Sequence, residues 1–318
     1  VEAFEKENPD IDVVNSTLEW GPPYYAKLQT SAAIGEQPDI AIYHLSRYSM
    51  GNAQGIFSPI SEEELASVGV TPDQYEASIW EKASANEDGY QLGLPLDNPL
   101  YVMHYNKDLF EQAGLLDENG MPTPLDGDNF DNFLAGLKKL KDITGEPPLS
   151  LNATSQYNLY WWGMNIIYQN NGVIWTPEGG WCPGDQCRLA FQFIADLINE
   201  GYLKRNVDWA TTEGDFYAGR SAILIDGGWN LPTLVSAVRN NEIDFRYGAA
   251  KTPKLGPVNK QYLHSHTFII PHSEVSPISD EKRKAVLRIM GWFSKNSLYW
   301  STAGHYLPHI PTVESPFF

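Results

Sequence analysis

The stretch Ser-Ala-Ile-Leu-Ile-Asp-Gly-Gly-Trp-Asn-Leu-Pro at residues 221–232 constrains the fold more than any other part of this chain. Its apolar run at 222–225 has the length and character of a buried strand. Two glycines after Asp226 allow a sharp turn, and Asn230 can then cap a helix whose first turn tolerates Pro232. A strand, a glycine turn and a helix in this order predict α/β architecture.

Trp229 lies within this predicted turn. In open α/β sheets, ligands bind at the turns that follow the carboxyl ends of strands. A flat apolar ring at such a place could stack on the C–H face of a sugar. A core position under a loop would explain the same residue equally well, so both interpretations stay open at this point.

The charge balance restricts the classes of partner. The chain has 318 residues, enough for two domains, with 22 Lys and Arg against 40 Asp and Glu, a net charge of −18. Such a charge argues against nucleic acid and against anionic membrane surfaces. No nucleophile elbow, zinc-helix motif or phosphate loop is present, so no cofactor or metal is expected.

Cys182 and Cys187 are the two cysteines of the chain, and Cys-Pro-Gly-Asp-Gln-Cys is the sequence that joins them. Pro-Gly favours a tight turn that would bring the thiols together, so a disulfide and an oxidising compartment are predicted. A zinc site would need two further ligands, and a thioredoxin-type pair has two intervening residues rather than four.

Strand and helix patterns alternate along the chain, but they do not form eight regular strand–helix repeats. This argues against a TIM-barrel fold. Predicted strands lie at 10–15, 40–43, 100–105, 245–250 and 267–270, and core-facing helices at 130–140, 188–200 and 280–293. Residues 1–9 resemble the end of a helix and 316–318 end without a terminal element. We therefore expect a fragment, in which the absence of a visible signal peptide or membrane span says little.

Seven motifs occur in an order that resembles one known family. They are FEKENPDIDV at 4–13, GEQPDI at 35–40, GIFSPI at 55–60, LP at 94–95, YNKDLF at 105–110, FYAGRSAILIDGGW at 216–229 and YGAAKTP at 247–253. Together they resemble the extracellular solute-binding proteins of ABC importers, in the carbohydrate-binding family 1 that includes maltose-binding protein. Residues 126–133 depart from the usual family pattern.

The resemblance implies a two-lobed periplasmic-binding-protein fold of type II, maltose-binding-like, with an interlobe cleft and truncation at both ends. Lobe one is expected to comprise residues 1–104 and 264–307. Lobe two is expected to comprise 105–263 and 308–318, with its C-terminal part incomplete.

The resemblance also implies a function. The chain would be the extracytoplasmic substrate-binding component of an ABC importer, periplasmic or lipid-anchored as a lipoprotein at the outer face of the cytoplasmic membrane. It would bind a neutral sugar or oligosaccharide, close by a hinge motion and dock, as a monomer, on the permease subunits of the transporter. Carbohydrate transport without catalysis is thus the expectation. A glycoside-acting enzyme, or a binder of a peptide or polyamine with the same fold, is the alternative.

Candidate ligand contacts follow predicted strand ends and chain crossings. They are Trp229, Tyr43, His44, Arg47, Asp97, Asn98, Tyr160, Trp161, His266 and Tyr306. Aromatic faces suit the C–H surfaces of a sugar, while carboxylates, amides and Arg suit its hydroxyls. Packing or helix capping is the competing interpretation for each, and it is favoured for Tyr105, Trp162 and Tyr168.

Overall fold

The computed structural model describes residues 1–84, 89–123, 125–152, 154 and 156–317, without the side chains of residues 156 and 157. The chain forms two compact units. Unit 1 consists of Val1–Pro99 together with the chain from His264 onward, and unit 2 is Leu100–Leu263.

Helices and strands alternate over most of the described chain. The helices are α1 (Glu2–Glu7), α2 (Pro22–Ile34), α3 (Tyr48–Ala53), α4 (Glu62–Ser67), α5 (Ala77–Ala83), α6 (Lys107–Gln112), α7 (Asp131–Thr144), α8 (Gln156–Gln169), α9 (Asp185–Asn199), α10 (Trp209–Tyr217), α11 (Leu231–Arg239), α12 (Asp280–Lys295), α13 (Leu298–Ser301) and α14 (Ile310–Val313). The strands are β1 (Ala41–His44), β2 (Ile60–Ser61), β3 (Tyr90–Gln91), β4 (Leu94–Asp97), β5 (Tyr101–Asn106), β6 (Leu149–Ser150), β7 (Trp175–Thr176), β8 (Gly180–Trp181), β9 (Ile223–Gly227), β10 (Tyr247–Lys251) and β11 (His266–Ile269).

The unit boundaries correct the predicted lobes in two places. Residues 100–104 belong to unit 2, because β5 is an unbroken strand paired on both sides within that unit. The segment after residue 307 belongs to unit 1, where His309 forms a β-bridge with Tyr75 and Ser297 Oγ donates to Thr312 Oγ1 at 2.9 Å. The predicted return at His264 coincides with the boundary, and residue 318 lies outside the described residues.

The sheet of unit 1 has the order β1-β11-β4, with antiparallel neighbours. Its register places His44 opposite His266, and His266 opposite Asp97. A shift of register between His266 and Thr267 marks a β-bulge, a device that re-aims side chains. Polar side chains from three neighbouring strands are therefore brought to one end of this sheet.

The sheet of unit 2 has the order β10-β5-β9-β6. Strand β9 is buried along its whole length, as the apolar run at 222–225 predicts, and it pairs antiparallel with β5 and parallel with β6. The apolar face of α7, with Phe133, Leu137 and Leu140, packs into the main core of this unit. Cys182 and Cys187 form a disulfide at the start of α9, beside the β7–β8 hairpin.

Two local predictions fail for identifiable reasons. Residues 10–15 form no strand, and the backbone N–H of Val13 instead donates to Glu5 Oε1 at 2.9 Å. Asn230 stands at the N-cap position of α11 without a side-chain capping bond. Its amide nitrogen donates instead to Asp226 Oδ2 at 2.8 Å and to Glu213 Oε1 at 2.9 Å, and these bonds set the orientation of the side chain.

Candidate functional site

In unit 2, the turn after β9 presents the Trp229 ring. Gly228–Asn230 form one turn of 3-10 helix between β9 and α11, and Trp229 is half-buried there. A Cβ atom at Gly227 would overlap the six-membered ring of Trp229. The ring thus folds back across the end of the strand, and only glycine leaves room for it at that position.

Trp229 belongs to a cluster of three aromatic rings. Its centroid lies 6.2 Å from Trp161, on α8, and 5.9 Å from Tyr101, on β5, both edge-to-face. Tyr101 Oη donates to Asn158 Oδ1 at 3.1 Å, which fixes this ring from the buried side. Tyr160 is half-buried and packs against the same core. The two edge-to-face contacts hold the ring plane of Trp229 in a defined direction.

A buried carboxyl group lies directly before the turn. Asp226 accepts from its neighbour Gly227 N at 2.7 Å and from Asn230 Nδ2, while the same amide nitrogen reaches Glu213 Oε1 at 2.9 Å. Burial raises the pKa of Asp226 to about 8, against the smaller opposing effect of these hydrogen bonds. The neutral form of Asp226 is thereby favoured. Asn230 links Asp226 to α10, because its amide nitrogen also bonds Glu213 of that helix.

In unit 1, Asp97 lies at the centre of a polar cluster. Its Oδ1 accepts the backbone N–H of His266 at 3.1 Å and lies 2.7 Å from His266 Nδ1. Its Oδ2 accepts from Trp300 Nε1 at 2.5 Å and lies 2.9 Å from His305 Nδ1. Burial acts to raise the pKa of Asp97, but the charges and hydrogen bonds of the two histidines outweigh it and hold this pKa well below its ordinary value.

Four histidines pack around this carboxylate. The ring of His44 lies 4.2 Å, between centroids, from both His264 and His266, and His266 lies 5.9 Å from His305. Burial, reinforced by the neighbouring histidines, lowers the pKa of His44 well below its ordinary value and that of His264 to about 3. These two rings are therefore neutral at physiological pH.

Aromatic and basic side chains cover the histidines. Trp20 is 47% exposed and stacks on His266 with centroids 5.4 Å apart. Tyr25 Oη is hydrogen-bonded to His44 Nδ1, and the guanidinium of Arg47 lies 3.9 Å from the centroid of the Tyr25 ring. The cluster thus combines hydrogen-bonding groups with an exposed aromatic face, the two kinds of contact that carbohydrate needs.

The sequence-predicted residues fall into groups. His44, Arg47, Asp97 and His266 come together in unit 1, and Trp229, Trp161 and Tyr160 lie in one region of unit 2. Tyr306 is 36% exposed, and its backbone forms a bridge with Asn98.

Three of these predictions need correction. Tyr43, predicted as a ligand contact, is only 3% exposed and packs against Phe57 in the core. Asp97 and Asn98 are fully enclosed rather than open to a ligand. The Asp97 oxygens are satisfied by His266 on the neighbouring strand and by Trp300 of α13, and Asn98 Oδ1 accepts from Ser265 Oγ.

Several residues of these clusters were not among the predicted contacts: Trp20, Tyr25, His264, Trp300, His305, Tyr101 and Asn158. The alternation His264-Ser-His266 carries a usable signal, since residues two apart on a strand point to the same face. Trp300 and His305 carry none, because a helix and a loop from the end of the chain bring them to Asp97.

Comparison with known proteins defines the family. The family model for bacterial extracellular solute-binding proteins matches residues 1–277. The chain belongs to this family, and its motifs and fold are maltose-binding-protein-like, as the sequence predicted. Within the described residues, no helix has the length and apolar character needed to cross a bilayer.

Individual relatives are distant. A binding protein of Brucella abortus is 24% identical over 278 residues, which are 83% of this chain and 61% of that protein. The chain thus spans less than two thirds of the length of this curated relative. The GacH receptor of Streptomyces glaucescens, solved with acarbose, has a TM-score of 0.79 at 15% identity, covering 99% of this chain and 77% of the receptor.

A third similar protein was solved with a different solute. UgpB from Mycobacterium tuberculosis, in complex with glycerophosphocholine, also has a TM-score of 0.79, at 18% identity, covering 99% of this chain and 76% of UgpB. At these identities the likeness concerns the two-lobed fold.

Proposed function

We propose that this chain is the extracytoplasmic substrate-binding component of an ABC importer and that its solute is a neutral sugar or oligosaccharide. Family membership supports the transport role. As the resemblance implies, the solute would be held in an interlobe cleft and would favour the closed state by contacts made only there. The closed form would then dock on the membrane permease from the periplasmic or outer side.

The aromatic cluster of unit 2 is the observation that carries the choice of solute. Trp229 makes edge-to-face contacts with Trp161 and Tyr101, and it is held by a glycine turn at the end of a strand. A ring that is already immobilised loses little conformational entropy when a sugar stacks on it. Because a stacked sugar removes apolar area from both partners, this arrangement favours a ligand with C–H faces.

Unit 1 supplies polar groups suited to hydroxyls. The neutral ring of His44, hydrogen-bonded to Tyr25, and the guanidinium of Arg47, which lies over the Tyr25 ring, bring polar groups close to the exposed Trp20. A polyamine site would instead need several accessible carboxylates. The carboxylate of this cluster, Asp97, is fully buried beneath His266 and His305, so it is out of reach of a polyamine chain.

The test is a titration of the purified chain with neutral mono- and oligosaccharides, followed by Trp fluorescence. We expect a saturable change with one sugar class and no product by chromatography. Trp229→Ala should weaken binding by about tenfold or more, equivalent to about 1.4 kcal/mol. Trp181→Ala is the matched control, because Trp181 is 71% exposed on the β7–β8 hairpin and should leave the affinity unchanged.

The other outcomes separate the alternatives. Turnover of the sugar would identify a glycoside-acting enzyme and overturn the proposal. A response only to glycerophosphodiesters, peptides or polyamines would keep the binding role and reject the sugar. Equal affinities of the Trp229→Ala and Trp181→Ala variants for a bound sugar would reject the assigned stacking platform.

A further inference from the structure

We propose that Asp97, His266 and His305 form a binding site for a divalent transition cation of the Zn²⁺ class. One donor atom from each of the three residues lies within 4.8 Å of the other two. Imidazole nitrogen and carboxylate oxygen are ligands that Zn²⁺ and its neighbours prefer. This inference goes beyond the proposed transport function and is independent of which solute the protein binds.

The distances suit an ion after a small adjustment. Asp97 Oδ1 lies 2.7 Å from His266 Nδ1, and Oδ2 lies 2.9 Å from His305 Nδ1. Ligands about 2.0–2.1 Å from a tetrahedral zinc ion are about 3.4 Å apart. The two short O–N distances would have to open by roughly half an ångström, and the widest separation among the three donors, up to 4.8 Å, would have to close by about 1.4 Å; side-chain rotations supply both movements.

Hydrogen bonds already orient the carboxylate as a metal ligand requires. A carboxylate has about four lone-pair positions. Two are filled by N–H groups that do not lose their protons at physiological pH: the backbone N–H of His266 at 3.1 Å and Trp300 Nε1 at 2.5 Å. The other two face imidazole nitrogens, which lose their protons when they bind a metal ion. The space between Asp97 and the two rings can thus hold either these protons or one cation.

Access and charge are also suitable. The side chains of His266 and His305 are each 11% exposed, whereas Asp97 is completely buried beneath them. An ion could therefore approach from the histidine side while the carboxylate offsets part of its charge in a poorly hydrated site. Three protein ligands leave a fourth coordination position for water or another oxygen donor.

The test uses Zn²⁺ alone, titrated calorimetrically into the tag-free, chelator-treated chain. We expect one ion per chain, with binding weakened at least about tenfold by His305→Ala and by Asp97→Asn. His272→Ala is the matched control, because His272 lies 3.1 Å from Glu274 in an exposed histidine–carboxylate pair of the same unit. That variant should bind Zn²⁺ as the parent chain does.

Cobalt provides a readout that a merely structural effect would not change. Co²⁺ at this site should show the visible absorption of a nitrogen- and oxygen-ligated ion, and this spectrum should change in the conservative variant His305→Gln. Absence of stoichiometric Zn²⁺ binding would overturn the proposal. So would equal affinity of the His305→Ala and His272→Ala variants, or a Co²⁺ spectrum that His305→Gln leaves unaltered.

Discussion

Asp97 Oδ1 lies 2.7 Å from Nδ1 of His266, a residue 169 positions away in the sequence. The pair is created by the antiparallel register of β4 and β11, and the backbone N–H of His266 donates to the same oxygen. The second oxygen receives the N–H of Trp300. One buried carboxylate thus joins a strand, its neighbour and the C-terminal helices of unit 1.

Asp97→Asn should destabilise unit 1 by about 2–3 kcal/mol, because an amide at this position places a donor against groups that now donate to a carboxylate. Urea unfolding at neutral pH measures the change. Asp39→Asn is the control, since the Asp39–Lys282 pair is exposed on both sides and should contribute less than about 1 kcal/mol. Equal effects of the two substitutions would contradict the central role of Asp97.

The buried Asp226 should make the stability of unit 2 fall as the pH rises. Its pKa is raised from 3.8 to about 8 in the folded chain, so the folded state retains a proton that the unfolded state releases. The contribution to stability is complete below about pH 4 and is lost progressively as the pH approaches 8, at about 1.4 kcal/mol per pH unit.

Urea unfolding between pH 4.5 and 8 tests this effect. Asp226→Asn should flatten the pH dependence, because its side chain does not ionise. The exposed Asp244 of the same unit provides the control Asp244→Asn, which should keep the slope of the parent chain. A parent chain whose stability is constant over this interval would show that Asp226 is ionised throughout.

Gly227→Ala should displace the Trp229 ring, since a methyl group there would overlap it. We expect a loss of about 1–3 kcal/mol in stability and an altered near-ultraviolet circular dichroism spectrum. Gly214→Ala is the control: in α10 its Cβ would meet open space, so up to about 1 kcal/mol of stabilisation is expected. An unchanged spectrum in Gly227→Ala would mean that Trp229 is not held by this turn.

Removing the Cys182–Cys187 disulfide should cost about 2 kcal/mol, because the loop it closes is short. The double variant Cys182→Ala, Cys187→Ala should unfold at lower urea concentration than the oxidised parent. Reductant should lower the midpoint of the parent and leave that of the double variant unchanged. A parent chain insensitive to reductant would show that the bond contributes nothing to global stability.

Local patterns predicted much of the fold. The apolar run before Asp226 became the buried centre of β9, and the helical spacing of Phe133, Leu137 and Leu140 became the core face of α7. These predictions succeed because a strand or helix that buries one side needs apolar residues at the repeat of that element, and this repeat is visible in the sequence. Residues 10–15 show the opposite case: alternation predicted a strand there, but no neighbouring strand pairs with them in the described chain.

The candidate site residues also include some that the sequence identified well and some that it did not. Trp229 and Trp161 were identified from their own sequence contexts, and the structure brings their rings within 6.2 Å. Tyr43 was predicted as a ligand contact, yet it is buried. When both faces of a strand are covered, the sequence of the strand does not show which side chains remain accessible.

The amino-acid sequence by itself determined the α/β class, the family and the glycine turn that carries Trp229, because these depend on neighbouring residues and on ordered motifs. Only the tertiary structure decided which distant side chains meet. His305, Trp300 and His266 reach one carboxylate through strand register, a β-bulge and the path of the C-terminal helices. Each such contact depends on the packing of whole elements, and no local pattern encodes it.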